Sequence, residues 1–324
     1  MTCITARLHK PLNLRDRRTP KTHDNLPTEP TDYGPQAMPG QQLHDYAEEE
    51  LLYNRFMEPA LRQALSVLSF PKPDGTVLDA GCGPGGLFPL LLEALDPSGA
   101  LVAIDRSTAH LRLAEKLVAS QAFQERVQLA HVDLESTLPY PDGSFDGVWS
   151  ADVITPDDFA DIPSVVSELF RVLKPGGFLA LFYGNWLRQQ LLPGHSRLEH
   201  LISIAKEFTF ARDRAWEGHN HPECAERWLR EAGCQSTMLR LLPVSYHQPL
   251  LPHVHRFLAD YSLGTFYDKA IQEFGARVGL DTSDLALWRR LSDPASPDFI
   301  LNQPDYVCVR VGMLAVGQKP ARWG

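Results

Sequence analysis

Cysteine is scarce in this sequence, and none of its five cysteines is spaced C-x-x-C from another. Zinc ribbons and dithiol redox sites need that spacing, and an odd number of dispersed thiols makes no disulfide framework. A reducing compartment fits such usage, so a cytoplasmic location is expected. Long apolar runs are also missing. The most apolar stretches, such as residues 178–183, have the length of a strand and not of a membrane span, so no membrane partner is expected. Nor is there an excess of positive charge: 31 Lys and Arg face 40 Asp and Glu, a formal charge of −9. Phosphate backbones are gripped by clustered Lys and Arg, so no nucleic-acid partner is expected. The H-x-H pairs His219/His221 and His253/His255, even with Glu223 and Cys224 nearby, complete no standard ligand set, and no metal is expected.

What the chain does have is 44% hydrophobic and 22% charged residues over 324 positions, the balance of a globular protein with a large core. Residues 1–40 are proline-rich, basic in their first half and without a sustained apolar pattern, which predicts a disordered leader. From 41 to 70, Leu43, Tyr46, Leu51, Leu52, Phe56, Leu61, Leu65 and Leu68 fall on helical spacing. Pro59 is expected to divide this stretch into two helices.

Residues 76–86, Thr-Val-Leu-Asp-Ala-Gly-Cys-Gly-Pro-Gly-Gly, are the stretch around which the remaining elements are organised. They read as a buried strand entering a tight glycine turn, with a helix after it whose free N–H groups face whatever the turn cradles. Gly81, Gly83 and Gly86 satisfy the G-x-G-x-x-G spacing of a dinucleotide site. Asp79 weighs against that reading, because an anion at the strand end repels a pyrophosphate and attracts a cation. Further strands are predicted at 100–105, 127–132, 145–150, 178–183, 236–242 and 305–316, with helices at 107–120, 163–173 and 222–232 among them. Strands alternating with helices over short connections imply a mostly parallel sheet covered on both faces.

The glycine turn, read as Asp79, Gly81, Gly83 and Gly85, resembles the first motif of class I S-adenosylmethionine-dependent methyltransferases, an apolar strand followed by D/E-x-G-x-G-x-G. Asp105 ends the second strand, Asp133-Leu134 follow the third, Phe145–Ser150 match the family's fourth-strand motif, and Leu173-Lys174-Pro175-Gly176-Gly177 match the turn before its fifth strand. The resemblance spans residues 41–185, 222–245 and 305–318. It implies an α/β, Rossmann-like, doubly wound fold: a mostly parallel seven-stranded sheet, an antiparallel last strand and a helical lid. It also implies S-adenosylmethionine as cofactor, with Asp79, Ala80, Gly81, Cys82 and Gly83 around the donor, Asp105 on the ribose hydroxyls, Arg106 flanking the adenine, Asp133 and Leu134 at the adenine, and Ser150 beside the cofactor.

The expected organisation is a leader (1–40), N-terminal helices forming part of the lid (41–70), a cofactor-binding core (71–185), a lid insertion (186–221), more core (222–245), a second lid insertion (246–303) and a final strand and tail (304–324). Tyr183, Asn185 and Trp186, at the exit of the fifth strand, are candidate acceptor contacts. Imidazole titrates near neutrality, which makes His221 and His247 candidate general bases among the histidines of the insertions. The expected reaction is methyl transfer to a carbon or oxygen of a partly apolar small molecule. Alternatives are the same fold without methyl transfer (a cyclase, decarboxylase or partner protein), an RNA methyltransferase, or a nicotinamide dehydrogenase. The acidic loop 151–158 lacks the Asn/Asp-Pro-Pro-Phe/Tyr signature of enzymes that methylate exocyclic amines, and it leaves the acceptor side undefined.

Overall fold

Seven strands form one sheet in the order β3-β2-β1-β4-β5-β7-β6. They are β1 (Thr76–Ala80), β2 (Ala100–Asp105), β3 (Val127–His131), β4 (Phe145–Ala151), β5 (Leu173–Gln190), β6 (Gln235–His247) and β7 (Val307–Gln318). The first five pair in parallel, and β7 runs antiparallel to both β5 and β6. The Rossmann-like, mostly parallel sheet with an antiparallel last strand is therefore present. The computed structural model describes residues 43–70, 73–121, 123–210 and 218–321; the predicted leader, 1–40, lies outside them.

Parallel strands are apolar on both faces because both faces are covered. In β1, Val77 and Leu78 are both fully buried but join different cores. Val77 packs with Trp149, Phe182 and the buried faces of α1 (Leu43–Ser66), α2 (Phe88–Ala94) and α3 (Thr108–Ser120). Leu78 packs with Val148, Leu179 and the faces of α4 (Ile162–Arg171) and α6 (Ala225–Glu231). Side-chain caps fix two helix starts: Ser107 Oγ accepts from His110 N at 3.2 Å, and Asp161 Oδ1 from Ser164 N at 3.1 Å.

Pro59 does not divide the N-terminal helix, contrary to expectation; α1 runs unbroken through it. Proline removes one backbone hydrogen bond, at a cost of about 3 kcal/mol in a helix interior. Phe56, Met57, Ala60 and Leu61, all fully buried around it, offset that with roughly 1.5–3 kcal/mol per large apolar side chain.

The other large difference is strand length. β5 continues past Tyr183 to Gln190, and β6 continues to His247, because β7 pairs with both along that length. The β5–β7 register slips between Asn185 and Gln189, so that 186–188 bulge out and Gln189 lies opposite Arg310. The segments after β5 and β6 are mainly helical: α5 (Ser196–Phe210), then α7 (Pro252–Arg256), a π-helical stretch (Phe257–Tyr267), α8 (Asp268–Val278) and α9 (Thr282–Ser292). Among the described residues no helix is long and apolar enough to cross a membrane.

Candidate active site

The glycine turn closes where β1 ends. Gly81 N and Cys82 N both donate to Ile104 O, at 2.8 and 2.9 Å. Gly81, Gly83 and Gly85 have φ of +82°, +53° and +87°, while Gly86 has no such angle. The left-handed turn thus uses the 81/83/85 spacing, and a Cβ at Gly81 would overlap the Val153 side chain.

Beside this turn lies a cleft of about 270 Å³. Strand order sets out its acids in a row: Asp133 beyond β3, Asp105 at the end of β2, Asp79 in β1 and Asp152 just beyond β4. Neighbouring strands are about 4.8 Å apart, so the row crosses roughly 14 Å.

Asp79 is 2% exposed, and its Oδ2 has no hydrogen-bond partner among the described residues. Burial, with the Asp105 charge as a smaller cause, raises its pKa to about 8. A buried carboxylate oxygen without a donor is the feature a bound cation would satisfy. Asp105 Oδ2 accepts from Gly83 N (2.9 Å) and Oδ1 from Ser107 N (2.7 Å), which locks its rotamer and leaves a lone pair on each oxygen. Arg106 is ion-paired with Asp158 at 2.7 Å, and both line the cleft. Asp133 accepts from Glu135 N at 3.0 Å and is exposed, whereas Leu134 next to it is buried. Gly81, Cys82, Asp79, Asp105, Arg106, Asp133 and Leu134 therefore share one cleft. Ala80, Gly83 and Ser150 do not line it; Ser150 Oγ donates instead to Ala80 O at 2.8 Å, tying β4 to β1.

The β4 end of the cleft holds residues that motif reading missed. Asp152 has φ +56°, and its Oδ1 accepts from the Gly184 backbone N–H while its Oδ2 accepts from Tyr53 Oη at 2.9 Å. Asp152 opens onto the cleft, yet protein surrounds the cleft, and that partial desolvation raises its pKa. Burial and the Asp152 charge push the Tyr53 phenol well up, so Tyr53 stays a proton donor in this pair. A Cβ on Gly184 would overlap Tyr53 Oη; only glycine admits both the backbone donor and the phenol. Glu50 and Asn54, one helical turn apart on α1 and on either side of Tyr53 in sequence, complete this wall. Nothing in the spacing of α1 marked these polar positions, while Asp152 sat in the acidic loop already singled out.

A second cavity, of about 180 Å³, is lined by Trp186, Gln189, Lys206, Ser262, Phe266, Arg310 and Asp157. It meets the cleft through Tyr53, over whose ring the Arg310 guanidinium sits 5.1 Å from the centroid. Of the three predicted acceptor contacts, Trp186 lines this cavity. Asn185 is fully buried with its amide spent on Glu223, Met313 Sδ and the N–H groups of 187 and 188, so it holds the bulge together. Tyr183 is buried beside a small void of about 10 Å³ under the sheet's far edge.

The two candidate bases, His221 and His247, lie apart from the cleft. His221 caps a short helical turn, its Nδ1 accepting from Glu223 N at 3.1 Å, and its ring meets Tyr183 edge-on at 6.3 Å. His247 sits exposed at the end of β6, its Nδ1 3.0 Å from Gln248 O. Neither lines the cleft or the second cavity. Among the described residues no group of three His, Cys, Asp or Glu converges as a metal site would require.

A family profile described as a methyltransferase domain matches residues 77–177. Over 191 residues the chain is 34% identical to demethylmenaquinone methyltransferase from Symbiobacterium thermophilum, spanning 53% of this chain and 72% of that protein. It is 34% identical over 126 residues to 2-phytyl-1,4-naphtoquinone methyltransferase from Synechococcus elongatus, spanning 37% of this chain and 53% of that one. Among solved structures, geranyl diphosphate C-methyltransferase from Streptomyces coelicolor, in complex with Mg2+, geranyl diphosphate and S-adenosyl-L-homocysteine, aligns with a TM-score of 0.50 at 16% identity, covering 86% of each chain. At that identity the likeness speaks for the fold alone.

Proposed function

This chain belongs to the class I S-adenosylmethionine-dependent methyltransferases, and we propose that it methylates a carbon or oxygen of a partly apolar small molecule held beside Tyr53 and Asp152. The observation that carries the donor half is the unpartnered, buried Asp79 Oδ2 at the glycine turn. It suits the α-ammonium of the cofactor's amino-acid end. Asp105 has lone pairs left for the ribose hydroxyls, and Asp133 with Leu134 suits the adenine, in the order the strands impose. When bound, the cofactor supplies a methyl group already activated on a sulfonium.

The protein's part is to hold the acceptor in line and to take its proton. A hydroxyl or an acidic carbon arrives protonated. Asp152, raised in pKa and hydrogen-bonded to Tyr53, can accept that proton directly or through the phenol. Helix α1 covers the glycine turn, and we assign it, with segments 186–221 and 246–303, the role of a lid that excludes water. The small-molecule names of the two quinone-methylating relatives support a metabolite as acceptor in preference to a macromolecule.

Calorimetry tests the donor half. Heat with S-adenosylhomocysteine and none with NADH is expected, and the reverse would sink the assignment. Release of S-adenosylhomocysteine from S-adenosylmethionine in the presence of candidate phenolic or enolic acceptors, lost in Asp152→Asn, tests the acceptor half.

A further inference from the structure

Two basic side chains are buried in the second cavity without a salt bridge among the described residues. Lys206 is 3% exposed and Arg310 8% exposed, and neither has a carboxylate within ion-pair distance among the described residues. The Lys206 ammonium makes one hydrogen bond, to Trp186 O at 3.2 Å, and otherwise lies over the rings of Trp186 (5.3 Å) and Tyr267 (4.9 Å). The Arg310 Nε has no hydrogen-bond partner among the described residues. The nearest buried carboxylate, Glu199, is committed elsewhere: its Oε1 accepts from Leu191 N, Leu192 N and Tyr267 Oη. The cavity's own carboxylate, Asp157, is exposed. An uncompensated buried charge costs several kcal/mol. Guanidinium cannot shed its proton to escape that cost.

The fold goes out of its way to build this arrangement. The bulge after Asn185 turns Trp186 out of the ladder and sets Gln189 opposite Arg310. The π-helical stretch between α7 and α8 brings Ser262 and Phe266 to the same space. Bulges and π-helical turns both cluster at functional sites. Gln189 Oε1 is also buried without a partner among the described residues, an acceptor waiting for a ligand's donor.

Building on the methyltransferase reading, we infer that the acceptor is an organic acid, whose carboxylate sits between Lys206 and Arg310 while its apolar body, carrying a hydroxyl or N–H, lies against Trp186 and Phe266 and reaches past Tyr53 to the cleft. We take the anion as a carboxylate, because the rest of the lining includes the apolar surfaces of Trp186 and Phe266, and the test below separates it from a phosphate. The anion would also relieve the repulsion from Arg310 that, after burial, holds the Lys206 pKa well down.

The test is calorimetry on the full chain saturated with S-adenosylhomocysteine, titrated with benzoate, benzamide and phenyl phosphate. Benzoate should bind at least tenfold more tightly than the neutral amide, and more tightly than phenyl phosphate. Lys206→Met and Arg310→Met should each erase the preference for benzoate, with S-adenosylhomocysteine affinity kept within twofold as proof of folding. Gln189→Glu, which leaves both cations in place but adds a negative charge beside them, should erase it too. Equal affinities for benzoate and benzamide in the wild type, or a preference that survives all three substitutions, would overturn the inference. Tighter binding of phenyl phosphate would overturn the choice of carboxylate. Failure of the wild type to bind S-adenosylhomocysteine would instead strike the underlying reading.

Discussion

The two halves of this site are opposite in charge and in how the chain builds them. The donor cleft is acidic, with Asp79, Asp105, Asp133, Asp152, Asp158 and Glu50 around one glycine turn. The second cavity holds two buried basic residues, Lys206 over the rings of Trp186 and Tyr267 and Arg310 over that of Tyr53. Asp79, Asp105, Asp133 and Asp152 each sit within a residue or two of a strand end, so local sequence dictates their position. The cations come from α5 and β7, more than a hundred residues apart, and the slipped β5–β7 register sets Gln189 opposite Arg310. Short-range turn chemistry can be read from a motif, and long-range register cannot.

The largest effect should follow from Asp79. Asp79→Ala should weaken S-adenosylhomocysteine binding by about 100-fold or more in calorimetry, since a charge-assisted contact at a buried site is lost. Asp79→Asn should do the same while raising the Tm of the free protein at pH 7. The sign follows from its pKa, which is about 8 in the fold against 3.8 unperturbed. The native state therefore holds a proton that the unfolded chain releases, and stability falls as pH rises between those values. Asn removes that penalty. Cofactor binding at pH 7 should in turn release about one proton from Asp79, read from heats in buffers of different ionisation enthalpy. No proton release would detach Asp79 from the ammonium.

At the junction between the halves, Asp152→Asn should lower kcat by about 100-fold with cofactor affinity little changed, the usual scale for a lost general base. Gly184→Ala is a sharper probe. The added methyl overlaps Tyr53 Oη and drives the phenol from Asp152, while meeting the Asp152 carboxylate only at ordinary contact distance and removing no charged group. Its kcat should fall about tenfold, and Tyr53→Phe should fall by a similar factor. A kcat in Gly184→Ala equal to wild type would show that the Tyr53–Asp152 bond does not serve the chemistry.

The sequence carried the sheet well, and with it the glycine turn and the strand-end acids that meet at the cleft. Asp79, Gly81, Gly83, Asp105 and Asp133 are legible because turn geometry demands particular residue types at fixed offsets from a strand end. It misjudged Pro59, where burial of Phe56, Met57 and Leu61 outweighs a local helix-breaking tendency. It passed over Tyr53, Lys206 and Arg310. Each stands in a stretch whose periodicity says only helix or strand, and their meeting depends on a bulge and a π-helical segment that have no composition signal. Histidine frequency drew attention to the insertions, but His221 and His247 line neither the cleft nor the second cavity.

The smallest expected effects concern those histidines, and they test the contrast most directly. His247→Ala removes an exposed ring beside Gln248 O that touches neither cavity, so kcat should stay within about twofold, far from the 100-fold scale of a base. His221→Ala should cost about 1 kcal/mol of stability, because Glu223 N loses the Nδ1 that caps it, and kcat should again stay within about twofold. The two readouts part company for a reason of geometry. His221 meets the ring of Tyr183 and the Glu223 backbone and lines neither cavity. A large fall in kcat for His221→Ala, with the Tm unchanged, would mean that the acceptor approaches past Tyr183, and the Tyr53–Asp152 junction would lose its role.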